Sequence, residues 1–272
     1  MSGLAGALAR LAPELADFEP GHVWLAGAGP GRLGCLTLEV VAALAAADAV
    51  VYDALVDTAA LRAAEGAALH FVGKRSGQPS TPQAEINALL VALAREGHRV
   101  LRLKGGDPNI FGRGGDEALA LAAARVPFRV LPGVTSGFAA LAAARIPATQ
   151  RGVSRALILA TGHGTGHGAG QRGPDDLDWA ALARTGQPIV IYMGLGALEE
   201  IAAALVAGGL APTTPVAVVA SATCPDERVV VADLATIALR VAEEGVRPPA
   251  VIVVGAIVAL RDALIAAALA PA

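Results

Sequence analysis

Short β-branched runs alternating with helical patterns, almost from the first residue, constrain this 272-residue chain more than any other feature. Such alternation specifies α/β architecture with a largely parallel sheet, because a helix between successive strands returns the chain to the same edge. His22–Gly27, Ala49–Asp53, Ala68–Val72, Arg99–Leu103 and Phe128–Leu131 read as five strands. Leu36–Ala47, Pro82–Glu96, Gly115–Ala124 and Thr135–Ala144 read as helices, with Pro82 in the first turn and Gly97 ending its helix as a C′ glycine. Periodicity is lost from Ile146 to Ser154, where Pro147 and Gly152 fall. Strands resume at Ala156–Ala160, Pro188–Tyr192, Pro215–Ala220, Arg228–Val231 and Val251–Val254. The turn-length gap around Cys224–Glu227 makes part of this second sheet antiparallel.

The expected organisation is an N-terminal extension (1–20), an α/β domain with a mostly parallel sheet (21–146), a linker (147–154) and an α/β domain with a mixed sheet (155–272). No internal repeat of fixed period occurs. Each domain is long enough to bury a core without a disulfide or metal staple. Cys35 and Cys224 are the only cysteines, too few for a disulfide framework or a zinc site, and they fit a reducing cytoplasm. No uncharged apolar run reaches the roughly 18 residues of a membrane span. Leu4, Leu8 and Leu11 lie at helical spacing, but Arg10, Glu14 and Asp17 break any signal peptide. A net charge of −3 argues against a general nucleic-acid binder. Locally, Lys74, Arg75, Arg95, Arg99, Arg102, Lys104 and Arg113 outnumber the acids around them, so this region is either a face for an anionic ligand or a set of solvated charges.

Two glycine loops follow strands. Gly27-Ala28-Gly29-Pro30-Gly31-Arg32 approximates a dinucleotide fingerprint, with Asp53 at the end of the next strand where a ribose-binding acid belongs. Arg32 stands where the third glycine is needed, and Pro30 removes an N–H from a phosphate loop, so an oxidoreductase is disfavoured. The second loop, Leu103 to Glu117, carries Gly105-Gly106, Asp107, Pro108, Arg113 and Gly114-Gly115. Paired glycines admit a ligand close to the backbone, and Asp107 accepts from a ribose hydroxyl or an amino group. Arg113 offers a planar fork for a carboxylate. A polar helix cap is the plainer reading, in which Asp116 and Glu117 complement the helix dipole.

These loops, together with Tyr52-Asp53-Ala54-Leu55-Val56, Gly73-Lys74-Arg75, Pro132-Gly133-Val134-Thr135-Ser136, Ile146-Pro147, Arg151-Gly152, Thr161-Gly162-His163, Tyr192-Met193-Gly194 and Pro248-Pro249-Ala250, form separated blocks from His22 to Leu260. The set resembles the uroporphyrinogen III C-methyltransferases within the class III, tetrapyrrole-methylase-type S-adenosylmethionine enzymes. That resemblance implies homodimers of two α/β domains with the active site in the cleft between them. It implies methylation of C2 and then C7 of uroporphyrinogen III to precorrin-2, for siroheme, cobalamin or heme d1, with S-adenosylhomocysteine as the other product and no metal. By position, Pro30, Gly105, Gly106, Asp107, Ile110, Thr135, Ser136, Met193, Ala222 and Ala250 match cofactor contacts, and Tyr192 a further position on the cofactor side. Arg113 and Arg151 match substrate-facing arginines, and with Asp53 and Asp116 they form the catalytic candidates. Arg32, Lys74 and Arg75 are further carboxylate-binding candidates; proton transfer through a water is an alternative role for Arg113.

A methionine after an apolar strand also serves as core filler, so Met193 carries both readings. His163 and His167 lie in a glycine-rich stretch without a third metal ligand nearby. With about 20 residues ahead of the first strand, too few for a domain, no fused dehydrogenase or ferrochelatase module is expected. Four positions depart from the family's usual residues: Arg32 for an acid, Asn109 for an aromatic, Asp116 for Glu and Gln150 for His. They motivate one rival reading, a catalytically silent homologue that binds S-adenosylmethionine or tetrapyrrole; the nearest rival is a related precorrin methyltransferase of corrinoid synthesis, over which the Leu103–Glu117 loop and the Gly73–Gln83 block favour the uroporphyrinogen enzymes.

Overall fold

Segments that read as strands are strands to within two residues in the computed structural model, which describes residues 3–11, 14–73, 81–162 and 177–269. The chain divides into two units, Met1–Thr135 and Ser136–Ala272. The division falls ahead of the segment 147–154, which lies inside the second unit.

The first unit opens with helix α1 (Leu4–Leu11), the amphipathic pattern of the N-terminal segment. Its sheet contains β1 (Val23–Gly27), β2 (Ala49–Tyr52), β3 (Ala68–Phe71), β4 (Val100–Lys104) and β5 (Phe128–Leu131) in the order β3-β2-β4-β1-β5, all parallel. Helix α2 (Leu38–Ala46) starts where the Thr37 side chain accepts from Val40 N at 3.3 Å. It buries Val40, Ala43 and Leu44 with Trp24, Ala26, Leu101 and Leu103 on one face of the sheet. Helices α3 (Gln83–Arg95) and α4 (Gly114–Ala123) cover the other face, where Ile86, Leu90 and Leu121 meet Val23, Leu25, Val51 and Val100. Pro82 occupies the N-cap of α3, one position before the helix, and Gly97 at φ 88° ends it as expected.

That arrangement creates a switch point. β1 and β4 are neighbours, yet α2 leaves β1 on one face while α4 leaves β4 on the other. Open α/β sheets bind ligands outside the carboxyl ends of strands at such a point, and there the two glycine loops lie. Backbone pairing joins the loops: Gly106 N donates to Gly29 O at 2.7 Å, Gly29 N to Gly106 O at 3.2 Å, and Ala28 N to Lys104 O at 2.7 Å. Gly133, after β5, packs on both. A Cβ on Gly27 would lie on Gly106 O and 2.6 Å from Gly133 Cα; one on Gly133 would lie on Gly106 O and 2.7 Å from Gly27 Cα.

The second unit holds α5 (Ser136–Ala143), β6 (Ile158–Thr161), α6 (Trp179–Arg184), β7 (Ile189–Tyr192), α7 (Leu198–Ala207), β8 (Pro215–Ala220), β9 (Arg228–Asp233), α8 (Ile237–Glu243), β10 (Ala250–Val254) and α9 (Leu260–Leu269). Its sheet runs β6-β7-β10-β8-β9, parallel between β6 and β7 and antiparallel elsewhere, the mixed sheet expected. One face packs against α6, α7 and α8 through Leu198, Ile201, Leu205 and Ile237. The other receives α5, where a Cβ on Gly137 would lie on the Tyr192 hydroxyl and 3.0 Å from Val190 Cγ1. None of these second-unit helices apart from α5 was assigned by periodicity.

Two predictions follow from these contacts. Gly133→Ala must displace backbone on two sides, a cost of about 1–3 kcal/mol or more in denaturant unfolding. Gly115→Ala, in the first turn of α4 with nothing within 4 Å of its Cβ, is neutral or gains up to about 1 kcal/mol. At the opposite ends of β2 and β4, Arg99 Nε and Nη2 each donate to Asp48 at 2.9 Å, and Arg99 N donates to it at 2.8 Å. These bonds hold the Asp48 carboxyl down to about 2. A depressed carboxylate contributes its stability above its unfolded pKa and loses it as pH falls through the folded one. The midpoint of Asp48→Asn should therefore lie below wild type at pH 6, and the gap should close as pH approaches 2 in thermal scans.

Candidate active site

The first-unit candidates gather at the carboxyl ends of β1, β2, β4 and β5. Pro30 follows the paired Gly29 and is half-buried. Gly105 sits against the loop after β2, where a Cβ would come within 2.5 Å of Leu55 Cβ. Gly106 has φ 70°, a left-handed conformation that glycine adopts without strain. Asp107 is already bonded: its Oδ1 accepts from Asn109 N at 2.8 Å and its Oδ2 from Gly133 N at 3.0 Å. The carboxylate thus ties the β4 loop to the β5 loop, and each oxygen retains a lone pair for a ligand donor. Ile110 is half-buried, and the Thr135 hydroxyl side chain is 8% exposed.

Arg113 occupies the N-cap of α4 with φ 59°, and its Nε donates to Asp116 Oδ2 at 2.8 Å. Both side chains are more than half exposed, so their mutual attraction is worth under about 1 kcal/mol. The Arg113 Nη nitrogens have no partner among the described residues, which leaves one edge of the fork for a carboxylate. Asp53 follows β2; its Oδ1 accepts from Leu55 N at 3.0 Å and its Oδ2 lies 3.6 Å from Arg102 Nη2.

The second unit brings another group to one edge of its sheet. Tyr192 ends β7 and pairs with Val251, while Ala250 starts β10 and pairs with Ala220 at the end of β8. Met193, Ala250 and Ala222 therefore lie at the same end of three neighbouring strands. The Tyr192 hydroxyl accepts from Gly137 N at 3.2 Å, next to Ser136 at the start of α5. Met193 is 52% exposed with φ 53°, so it does not fill the core. Ala222 is buried between Ser221 (φ 47°) and Thr223 (φ 72°). Arg151 is exposed in a turn closed by the Gln150–Ser154 bridge, away from regular structure.

Three charged residues change role. Glu117, read as an aid to the helix dipole, is fully buried, and Arg102 and Lys104, counted toward an anion-facing region, are buried against it. Arg99 is likewise paired, with Asp48. The signal was present in Val100-Leu101-Arg102-Leu103-Lys104: two cations at alternate positions of an otherwise apolar strand share one covered face and need a buried anion. Burial, then the neighbouring Arg102, lower the Lys104 pKa below the ordinary lysine value, while Glu117 opposes both. Lys74, Arg75, His163 and His167 lie outside the described residues. Among the described residues no three potential metal ligands cluster, and no helix is long and apolar enough to cross a membrane.

The family model for tetrapyrrole (corrin/porphyrin) methylases matches residues 22–238. A uroporphyrinogen-III C-methyltransferase from a Sinorhizobium species is 48% identical over 251 residues, which cover 92% of this chain and 88% of that protein. A siroheme synthase from Gluconacetobacter diazotrophicus is 45% identical over 89% of this chain, and the chain spans about half the length of that relative. Among solved structures, the Thermus thermophilus uroporphyrin-III C-methyltransferase complexed with S-adenyl homocysteine superposes with a TM-score of 0.72 at 38% identity, covering 88% of this chain and 99% of that one. A cobalt precorrin-4 methyltransferase superposes with a TM-score of 0.78 at 27% identity, covering 88% and 96%. With matches over most of its length in both sequence and fold, this chain belongs to the tetrapyrrole methylase family.

Proposed function

We propose that this chain transfers methyl groups from S-adenosylmethionine to C2 and C7 of uroporphyrinogen III, giving precorrin-2, and acts as a homodimer. The observation that carries the reading is the joining of the two glycine loops at the carboxyl ends of β1 and β4, the switch point of the sheet, with the exposed Arg113 at the end of the second loop. The two tetrapyrrole neighbours share the fold about equally, but sequence separates them. Identity is higher to the uroporphyrin enzyme than to the precorrin-4 enzyme, 38% against 27%, and supports the earlier substrate.

Chemically, the residues fit the cofactor proposed. Gly105 is seated against Leu55 and Gly106 is paired with Gly29, which fixes the loop backbone, and Asp107 keeps acceptor capacity beside them. In the first unit, Pro30, Gly105, Gly106, Asp107, Ile110 and Thr135 would hold it. When bound, S-adenosylmethionine supplies an electrophilic methyl group on a sulfonium. The pyrrole carbons of the substrate are nucleophilic in an enamine-like sense, so the protein's task is placement in line with the breaking bond. Arg113 and Arg151 orient the substrate through its carboxylates, with Asp116 steadying Arg113. The ring then loses a proton after each transfer.

Incubation of pure protein with uroporphyrinogen III and S-adenosylmethionine should yield the absorbance of the oxidised dimethylated product. Turnover only with a later corrinoid precursor would move the chain to the related precorrin enzymes. Binding of S-adenosylhomocysteine without any turnover would make it the silent homologue. Arg113→Ala should lower turnover by at least about 10- to 100-fold, the worth of a lost charge-assisted bidentate contact, with cofactor affinity unchanged in calorimetry. Asp116→Ala should cost less than about fivefold, as befits an exposed pair. A rate unchanged by Arg113→Ala removes that arginine from the mechanism.

A further inference from the structure

Beneath the loop from Gly105 to Arg113 lies buried charge that the reaction as set out leaves unused. Glu117 Oε1 accepts from Arg102 Nε at 3.0 Å, from Lys104 Nζ at 3.0 Å and from Gln83 Nε2 at 3.2 Å. Glu117 is 0% exposed, Arg102 3% and Lys104 4%. Glu117 Oε2 is buried without a hydrogen-bond partner among the described residues. Stability alone is a poor account of such a group, since buried ion pairs commonly gain nothing over apolar side chains of similar size. The rest of this face, with Val23, Leu25, Val51 and Val100, shows that apolar packing suits it.

Each arm of the cluster instead ends on a segment that carries a proposed site residue. Arg102 Nη1 donates to Val51 O at 3.3 Å and Leu103 O at 3.1 Å, and Nη2 lies 3.6 Å from Asp53 Oδ2. A guanidinium is planar, so the bond from Nε to Glu117 fixes where Nη2 points. Asp53 is thereby held on one oxygen by Arg102 and on the other by Leu55 N. Lys104 is joined directly to Gly105, and Glu117 lies in the first turn of the helix that Arg113 caps.

We infer that Glu117 is a positioning residue for the methyl transfer, acting through Arg102 on the Asp53 carboxylate and through Lys104 on the Gly105–Asp107 backbone. The inference rests on the proposed function, and its test separates the two. Turnover of uroporphyrinogen III, S-adenosylhomocysteine binding and thermal midpoint are measured for the full chain and for Glu117→Gln, Arg102→Lys, Asp53→Asn, the double variant Arg102→Lys/Asp53→Asn, and Asp48→Asn. The last breaks the ion pair at the far end of the same two strands, so it lowers the midpoint and leaves kcat unchanged.

Arg102→Lys keeps the charge and loses the fork; it should lower kcat by about 10- to 100-fold, the scale of a misplaced reacting group, with S-adenosylhomocysteine bound as in wild type. The double variant should be no slower than Asp53→Asn alone, because one residue acts through the other. Glu117→Gln disturbs both arms and should lose kcat and weaken S-adenosylhomocysteine binding several-fold. Effects of Arg102→Lys and Asp53→Asn that multiply, an Asp53→Asn variant at the wild-type rate, or a Glu117→Gln variant with lowered midpoint but wild-type kcat and binding would each overturn the inference. If Glu117→Gln does not fold, the Arg102 and Asp53 cycle decides. Absence of wild-type turnover defeats the functional reading instead, and S-adenosylhomocysteine binding to Glu117→Gln still tests the Lys104 arm.

Discussion

The short antiparallel bridge between Gly29 and Gly106, with Gly133 packed against it, is the constraint from which the rest of the first unit's proposed ligand edge follows. Three loops leaving β1, β4 and β5 meet there as bare backbone. Glycine is required for two separate reasons. Gly29 and Gly106 have φ near 70°, so their need is conformational. Gly27 and Gly133 do not show left-handed φ, and their need is for space, since a methyl on either would enter the other's backbone or the Gly106 carbonyl. Asp107 then bonds across the same junction to Gly133 N, so a residue with an apparent ligand role also closes the scaffold.

Legibility of the fold followed the strength of local signals. All ten strands among the described residues were legible; β1, β4, β7, β8 and β10 are buried and therefore show as near-continuous apolar runs, whereas β3, which has no β-branched residue and is half exposed, shows through its place in the alternation. Helix α3 announced itself through a polar face, Pro82 before it and Gly97 after it. In the second unit the helices α6 and α8 have only six and seven residues and are dominated by alanine and aliphatic side chains, so no periodic contrast marks them. The Pro147 and Gly152 stretch looks like a boundary because it breaks periodicity, whereas the division at Thr135 and Ser136 depends on α5 packing beneath Tyr192 and Val190. That contact joins residues about fifty positions apart and leaves no local trace.

The candidate site was legible in its backbone and less so in its charges. A glycine pair after a strand implies close approach by a ligand or another chain segment, and here Gly106 meets another segment. A cation in sequence, by contrast, says nothing of its partner. Arg102 and Lys104 counted toward an anion-binding face until the fold brought Glu117, more than ten residues on, to their own. Arg113 stays exposed at the N-cap of α4, in the left-handed conformation. Such a conformation costs roughly 1–2 kcal/mol for a non-glycine residue, and Phe111 two positions earlier shares it.

Sorting these cations by burial clarifies how, under the proposed function, one sheet edge would serve two ligands of opposite charge. The buried Arg102 and Lys104 face the buried Glu117 and the quarter-exposed Asp53, two positive and two negative, so this group is close to neutral overall. A sulfonium proposed to lie near this group would meet no uncompensated positive charge, which in a medium of low polarity would repel it strongly. The exposed Arg113 is only loosely balanced by Asp116, and solvent already screens that pair. Its guanidinium can therefore exchange water for the carboxylates of an anionic substrate at little cost. Under the proposed function, neutralising the buried cations while leaving the surface arginine available gives the two groups different electrostatic tasks, and Glu117 is the residue that makes the division possible.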